Sequence, residues 1–106
     1  MVTLYLKARK GEYDAKGVFD TKTKTMTVLK NSVISSDVAG GMFRSSKSVK
    51  EKRENSNIKD HKLLEDIEFK SASTAANFVT GRSTNGLIAW KTKEGLTLKE
   101  LIGETT

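Results

Sequence analysis

The sequence predicts an α+β fold, a small antiparallel sheet built from an N-terminal three-strand meander plus C-terminal strands, with two or three short helices. Three observations carry that expectation. The chain opens on apolar/polar alternation, with Val2, Leu4, Leu6 and Ala8 on one face of an extended segment and Thr3, Tyr5, Lys7 and Arg9 on the other. Further on, Ala72, Ala75, Ala76 and Val79 recur at i, i+3, i+4 and i+7, the spacing of a helix face. Finally, 106 residues with 36% apolar positions can bury one modest core, so residues 1–106 read as one domain.

The first strand runs to Lys10-Gly11. Tyr13, Ala15, Gly17 and Phe19 then share one face of a second strand, Asp20 to Lys24 is polar enough for a hairpin connection, and Met26 and Val28 continue in a third. Residues 31–45, with Ser pairs and Gly40-Gly41, show no period and read as a loop with at most a short helical turn. Residues 46–55 are charged and compatible with a helix, but Val49 is the only apolar anchor. Asn55-Ser56-Asn57 reads as its stop, Lys59 to Lys62 as a turn, and 62–64 and 66–70 as short strands carrying Leu63, Ile67 and Phe69.

The segment from Ser71 to Gly81 is the best-specified element: Ser71 can accept as N-cap, and Gly81 stands where a helix needs a left-handed residue to stop. Asn85-Gly86 reads as a turn dipeptide leading to a strand over 87–91, in which Ile88 and Trp90 share a face. Lys93-Glu94-Gly95 turns the chain again. Thr97 and Glu100 have capping-box spacing at the start of a last helix with Leu98, Leu101 and Ile102 on its apolar side. Three parts follow: a strand-rich 1–40, a basic connection 41–62, and a strand-helix-turn-strand-helix unit 63–104.

Charge and rare residues bound the chemistry. The net charge of +6 divides as +3, +4 and −1 over 1–40, 41–62 and 63–106, and is densest through Arg44, Lys47, Lys50, Lys52 and Arg53. Such a patch attracts polyanions, because cations that neutralise phosphates release counterions. With no cysteine and one histidine, disulfides, thiolate nucleophiles and Cys-based zinc sites are excluded. His61, beside Asp60 and two lysines, reads as a solvated turn residue, and Glu65, Asp66 and Glu68 as a solvated strand face. Gly81 to Gly86 has the glycine separation of a phosphate loop, but Leu87 stands where that motif requires Lys. No catalytic residue, metal site or cofactor is therefore expected, and the protein reads as a non-enzyme. The first ten residues hold no long apolar run, so neither a signal peptide nor a membrane span is expected, and a cytoplasmic location is the simplest reading. Trp90 reads as core, while Tyr5 and Tyr13 carry no discriminating pattern.

The run from Phe69 through Ser71, Ala75-Ala76, Val79, Gly81-Arg82-Ser83, Asn85-Gly86 and Trp90-Lys91, closing with Gly95, Leu98 and Leu101, resembles a bacterial domain of unknown function. That domain typically stands C-terminal to GIY-YIG endonuclease domains and is similar to the restriction-enzyme adenine-methylase-associated domain. Tyr13 to Phe19 and Val28 to Ser32 resemble the segment that often precedes it. The family commonly carries Pro at the position of Ala72, Gly at Asn31 and Trp at Leu87. The resemblance implies an accessory module without chemistry of its own, working beside proteins that act on nucleic acid.

Two functions are compatible with these residues. In the first, the domain binds DNA: Arg44, Lys47, Lys50, Lys52 and Arg53 contact phosphates, Arg82 and Asn85 lie nearer any specific contact, and Lys91 and Lys93 assist beside the turn. This reading requires those cations to share one surface. In the second, the domain binds a protein, such as a nuclease or methylase subunit, or a second copy of itself, through an open edge of the first strand. No membrane partner is expected in either.

Overall fold

A computed structural model describes residues 1–8, 10–36 and 46–102. The N-terminal alternation forms the expected meander: β1 (Val2–Lys7) pairs antiparallel with β2 (Asp14–Phe19), and β2 with β3 (Met26–Val28). Leu4, Leu6, Ala15, Phe19, Met26 and Val28 are buried on one face, as the period of two dictates. Gly11, at φ 76, supports the first turn, and Asp20 organises the second by accepting from the backbone N–H of Lys22 at 2.8 Å.

After β3 the chain bends. Asn31 adopts φ 76, a left-handed conformation that asparagine tolerates better than most residues. The Ser32 hydroxyl replaces a ladder contact, accepting from Lys16 N–H at 3.0 Å. Val33 then resumes pairing with Asp14 on one side and Lys62 on the other. Lys62 belongs to a small ribbon, β4 (Ile58–Lys59) with β5 (Lys62–Leu63), closed by Asp60 and His61 at φ 53 and 64, the geometry of a two-residue hairpin turn. β6 (Ile67–Phe69) pairs with β3, giving the order β1-β2-β3-β6.

Helices cover the apolar face. In α2 (Ala72–Thr80) the Ser71 hydroxyl accepts from Thr74 N–H at 3.1 Å, and Gly81, at φ 73, ends the helix with its N–H on Asn77 O. A cap of this kind stabilises by about 1 kcal/mol. Small alanines let α2 sit close to the sheet, while Phe78 stacks tilted on Phe69 at 4.9 Å between ring centroids. α1 (Ser46–Glu54) packs on α2 through buried Val49 and through Arg53. α4 (Leu98–Leu101) starts at the expected capping box, with Thr97 and Glu100 satisfying each other's backbone N–H.

The strand expected over 87–91 does not form. Instead Gly86–Ala89 is a single helical turn, α3, because the Asn85 side chain accepts from Leu87 N–H at 3.0 Å and caps it. Ile88 is consequently 52% exposed, whereas Trp90 is fully buried, so the two do not share a face. Gly86 makes this turn possible: a Cβ there would stand 2.3 Å from the backbone carbon of Ala72. Trp90 lies across Gly17, where a Cβ would be 3.2 Å from the ring, and its indole N–H donates to Ala72 O at 3.0 Å.

Beyond Trp90 the chain returns to the sheet. Tyr5 N–H donates to Lys91 O at 2.7 Å, and Lys91 N–H donates to Tyr5 O at 3.0 Å. The open edge expected of β1 is therefore occupied at its centre by the chain's own C-terminal part. Among the described residues, no helix is long and apolar enough to cross a membrane.

Candidate nucleic-acid interface

Register fixes what the uncovered face of the sheet displays, because residues directly opposite in an antiparallel pair point to the same side. One row across this face is Thr3, Val18, Thr27 and Glu68. The next is Thr97, Lys91, Tyr5 and Lys16, so the Tyr5 ring has a lysine directly opposite on each neighbouring segment. The third is Lys7, Asp14, Val33 and Lys62. Polarity thus changes along the strands, from a neutral to acidic row to two cationic ones.

Two concavities of about 340 Å³ each adjoin Tyr5. One is bordered by Lys7, Lys91, Lys93 and Ala89; the other by Lys7, Lys16, Lys30, Lys62 and Asp14. Together they gather six lysines and one carboxylate, a local balance of +5. Lys30 is held there by its backbone N–H, which donates to Asp66 Oδ1 at 2.7 Å. The Lys7 ammonium lies 5.8 Å from the Tyr5 ring centroid, within cation–π range. Tyr5 itself is half-buried while all six lysines are exposed, which suits a fixed ring ringed by mobile charges.

The residues expected to bind phosphate divide into groups. Lys91 and Lys93 border the first concavity beside Tyr5. Arg82 lines a separate depression that shares Lys7 with both concavities and also includes Tyr13, Ser83 and Thr84. The turn around Arg82 is a structural element: Thr80 Oγ1 accepts from Arg82 N–H at 3.1 Å, Asn77 Oδ1 from Thr84 N–H at 2.8 Å, and Ser73 Oγ from Gly86 N–H at 2.9 Å. Asn85 is exposed, with its carbonyl oxygen committed to capping α3.

On α1, Lys50 is exposed and the Lys52 ammonium lies 5.6 Å over the Phe69 ring, bordering a groove between α1, α2 and β6. Arg53 turns inward. Its guanidinium donates to Phe78 O at 2.7 and 3.1 Å and to Ser35 O at 2.9 Å, satisfying carbonyls at the end of α2. Arg44 and the side chain of Lys47 lie outside the described residues. Of the cations expected to share a surface with Arg82, Lys52 borders the groove between α1, α2 and β6, whereas Arg82 lines the depression beside Lys7 and Tyr13.

Sequence reasoning missed Tyr5, Lys7, Lys16, Lys30 and Lys62 as a set. The available signal was the polar side of the first two strands, where Tyr5, Lys7, Asp14 and Lys16 occupy alternate positions. Among the described residues no group of His, Cys, Asp and Glu is placed to hold a metal. Of the two carboxyls with clearly lowered pKa values, Asp20 lies in the β2–β3 turn, whereas Glu100 stands at the end of the central row, bonded to Thr97 and within the field of Lys91. Backbone N–H donors from Lys22 and Thr23 lower the Asp20 carboxyl, and the Thr97 N–H lowers Glu100.

Fold and surface together define a small α+β module, with helices on one face of its sheet and, on the other, a face that no described helix covers and that is cationic along two of its three rows. The chain belongs to a family of domains of unknown function, DUF4357, whose match spans residues 4–102. That span exceeds the stretches carrying the resemblance seen in the sequence and runs from the middle of β1 to the end of α4. No significant match to a curated protein or to a solved structure is found.

Proposed function

We propose that this domain is a non-catalytic accessory module that binds nucleic acid through the open face of its sheet. One observation carries the reading: the Lys91, Tyr5, Lys16 row, set among Lys7, Lys30, Lys62 and Lys93, with Asp14 as the only carboxylate among the described residues that border the two concavities. Lysines fixed at the root by strand pairing and free at the tip can follow a phosphate backbone without demanding one sequence. The likeness to modules that accompany nucleases and methylases favours DNA as the partner and a role beside such an enzyme. The alternative, binding a protein or a second copy through the edge of β1, has no comparable group among the described residues behind it, and at Tyr5 that edge is already paired with Lys91.

An NMR titration with short single-stranded and duplex DNA at low salt tests the proposal. Amide shifts concentrated at residues 5, 7, 16, 62 and 91 are expected, together with affinity that falls steeply as salt rises. The double variant Lys16→Glu, Lys91→Glu should abolish the shifts while leaving the spectrum folded. Shifts confined to α1, or none at all, would refute it.

A further inference from the structure

We infer that the nucleic acid taken by this face is single-stranded, with a base stacked on the Tyr5 ring; this rests on the proposed function and sharpens it to a substrate class. Tyr5 stands at the centre of the cationic face, not at its rim. Its backbone N–H and carbonyl are both bonded to Lys91, and the β1–β2 ladder sets Lys16 opposite it, so backbone pairing ties the root of the ring to both flanking lysines. Neighbouring strands in a sheet stand about 4.8 Å apart, which places the roots of Lys91 and Lys16 at about that distance on either side. The concavity between Tyr5, Ala89, Lys91 and Lys93 joins an apolar wall to a cationic rim, the combination that a base with its phosphate requires.

Duplex DNA is a poor fit for the same surface. Its base edges are read by an element that enters a groove, usually a helix or a two-stranded ribbon. Here α2 lies behind the sheet, the β4–β5 ribbon has only two residues in each strand, and the Tyr5 ring sits between two depressions instead of on a projection. Within a duplex every base face is already covered by its neighbours. Only an unpaired base can offer a face to a ring held in this way.

Fluorescence polarisation with the full chain tests the inference, using a fluorescein-labelled oligothymidylate, an oligouridylate and a DNA duplex of equal length at low salt. At least one single strand should bind about tenfold or more tightly than the duplex, and either polymer satisfies the inference. Tyr5→Leu should weaken single-strand binding about tenfold and leave duplex binding unchanged, whereas Tyr5→Phe keeps the stacking face and should bind like the unmodified protein. Thermal melting of both variants establishes that they are folded. Duplex binding as tight as single-strand binding, or a Tyr5→Leu affinity within about twofold of the original, overturns the inference. In that case binding that still responds to salt and to Lys16→Glu leaves the proposed function standing. Absence of binding to all three probes removes both.

Discussion

Two cationic regions of this molecule differ in how their charge is assembled. On α1 the cations are neighbours in sequence, and one of the three with described side chains, Arg53, is turned inward to hold α1 against the end of α2. On the sheet face away from the helices, six lysines from five separate segments gather around Tyr5, four of them placed by register. The denser run in sequence is therefore not the surface best arranged to receive a polyanion. Density along the chain measures how many charges a segment carries, whereas a binding surface depends on which of them point the same way and remain unspent.

This contrast can be broken most severely at Trp90, which supports the segment that brings Lys91 to Tyr5. Trp90→Ala should cost about 3–5 kcal/mol of stability, read by urea denaturation, because it empties the space over Gly17 and removes the indole's hydrogen bond to Ala72 O. A cost near zero would mean that the indole does not hold this corner together.

Arg53→Ala should cost about 1–3 kcal/mol, as carbonyls of Phe78 and Ser35 lose a charged donor. Arg53→Lys should recover only part of this, because an ammonium cannot reproduce the forked geometry. Nucleic-acid affinity, measured where both variants are folded, should hardly change. A loss of affinity with stability intact would return Arg53 to the phosphate-binding set.

The lysines themselves give a smaller change in stability and a sharper distinction between the regions. Lys7→Gln with Lys16→Gln should keep stability within about 0.5 kcal/mol, yet reduce the slope of log affinity against log salt by about one for each phosphate left without its lysine. Lys50→Gln with Lys52→Gln should leave that slope where it was. Equal effects from the two pairs would erase the contrast.

The smallest effect is expected at Glu100, which caps α4 beside the Lys91 end of the sheet face. Its carboxyl is held below its ordinary pKa by the Thr97 N–H and then by the Thr97 hydroxyl. In the acid window between the lowered folded pKa and the ordinary unfolded one, the unfolded chain binds more protons, so stability rises with pH. The contribution is complete above the ordinary carboxylate range and is lost as pH falls through the folded value. Glu100→Gln, which keeps a capping partner, should flatten this part of a stability-against-pH curve; an unchanged curve would show that the cap does not discriminate the charge.

Much of the fold was legible because its signals are local. Alternation placed β1 and β2, the i, i+3, i+4, i+7 spacing with Ser71 and Gly81 bounded α2, and Thr97 with Glu100 marked the start of α4. The stretch 87–91 misled because Leu-Ile-Ala-Trp reads equally well as a short strand or as part of a helical turn. What decided it was one tertiary contact, Gly86 pressed onto the backbone of α2, together with a local cap from Asn85. The site was half legible. Tyr5 and Lys7 could be assigned to one side of β1, but that no described helix covers this side, and that Lys16, Lys62 and Lys91 join it, depends on strand register and on a C-terminal segment that no local pattern announces.

The pairing of Tyr5 with Lys91 also has a consequence in time. The residues it joins lie near opposite ends of the described chain, so the central row of the sheet face cannot exist while the polypeptide is still being synthesised through its middle. Contacts of such sequence separation are slow to form, since loop closure must precede the reward. A nascent or C-terminally clipped chain can display lysines but cannot set one on each side of Tyr5. Competence to bind through that row would thus arrive with the last elements to fold, and its loss would be an early sign of partial unfolding.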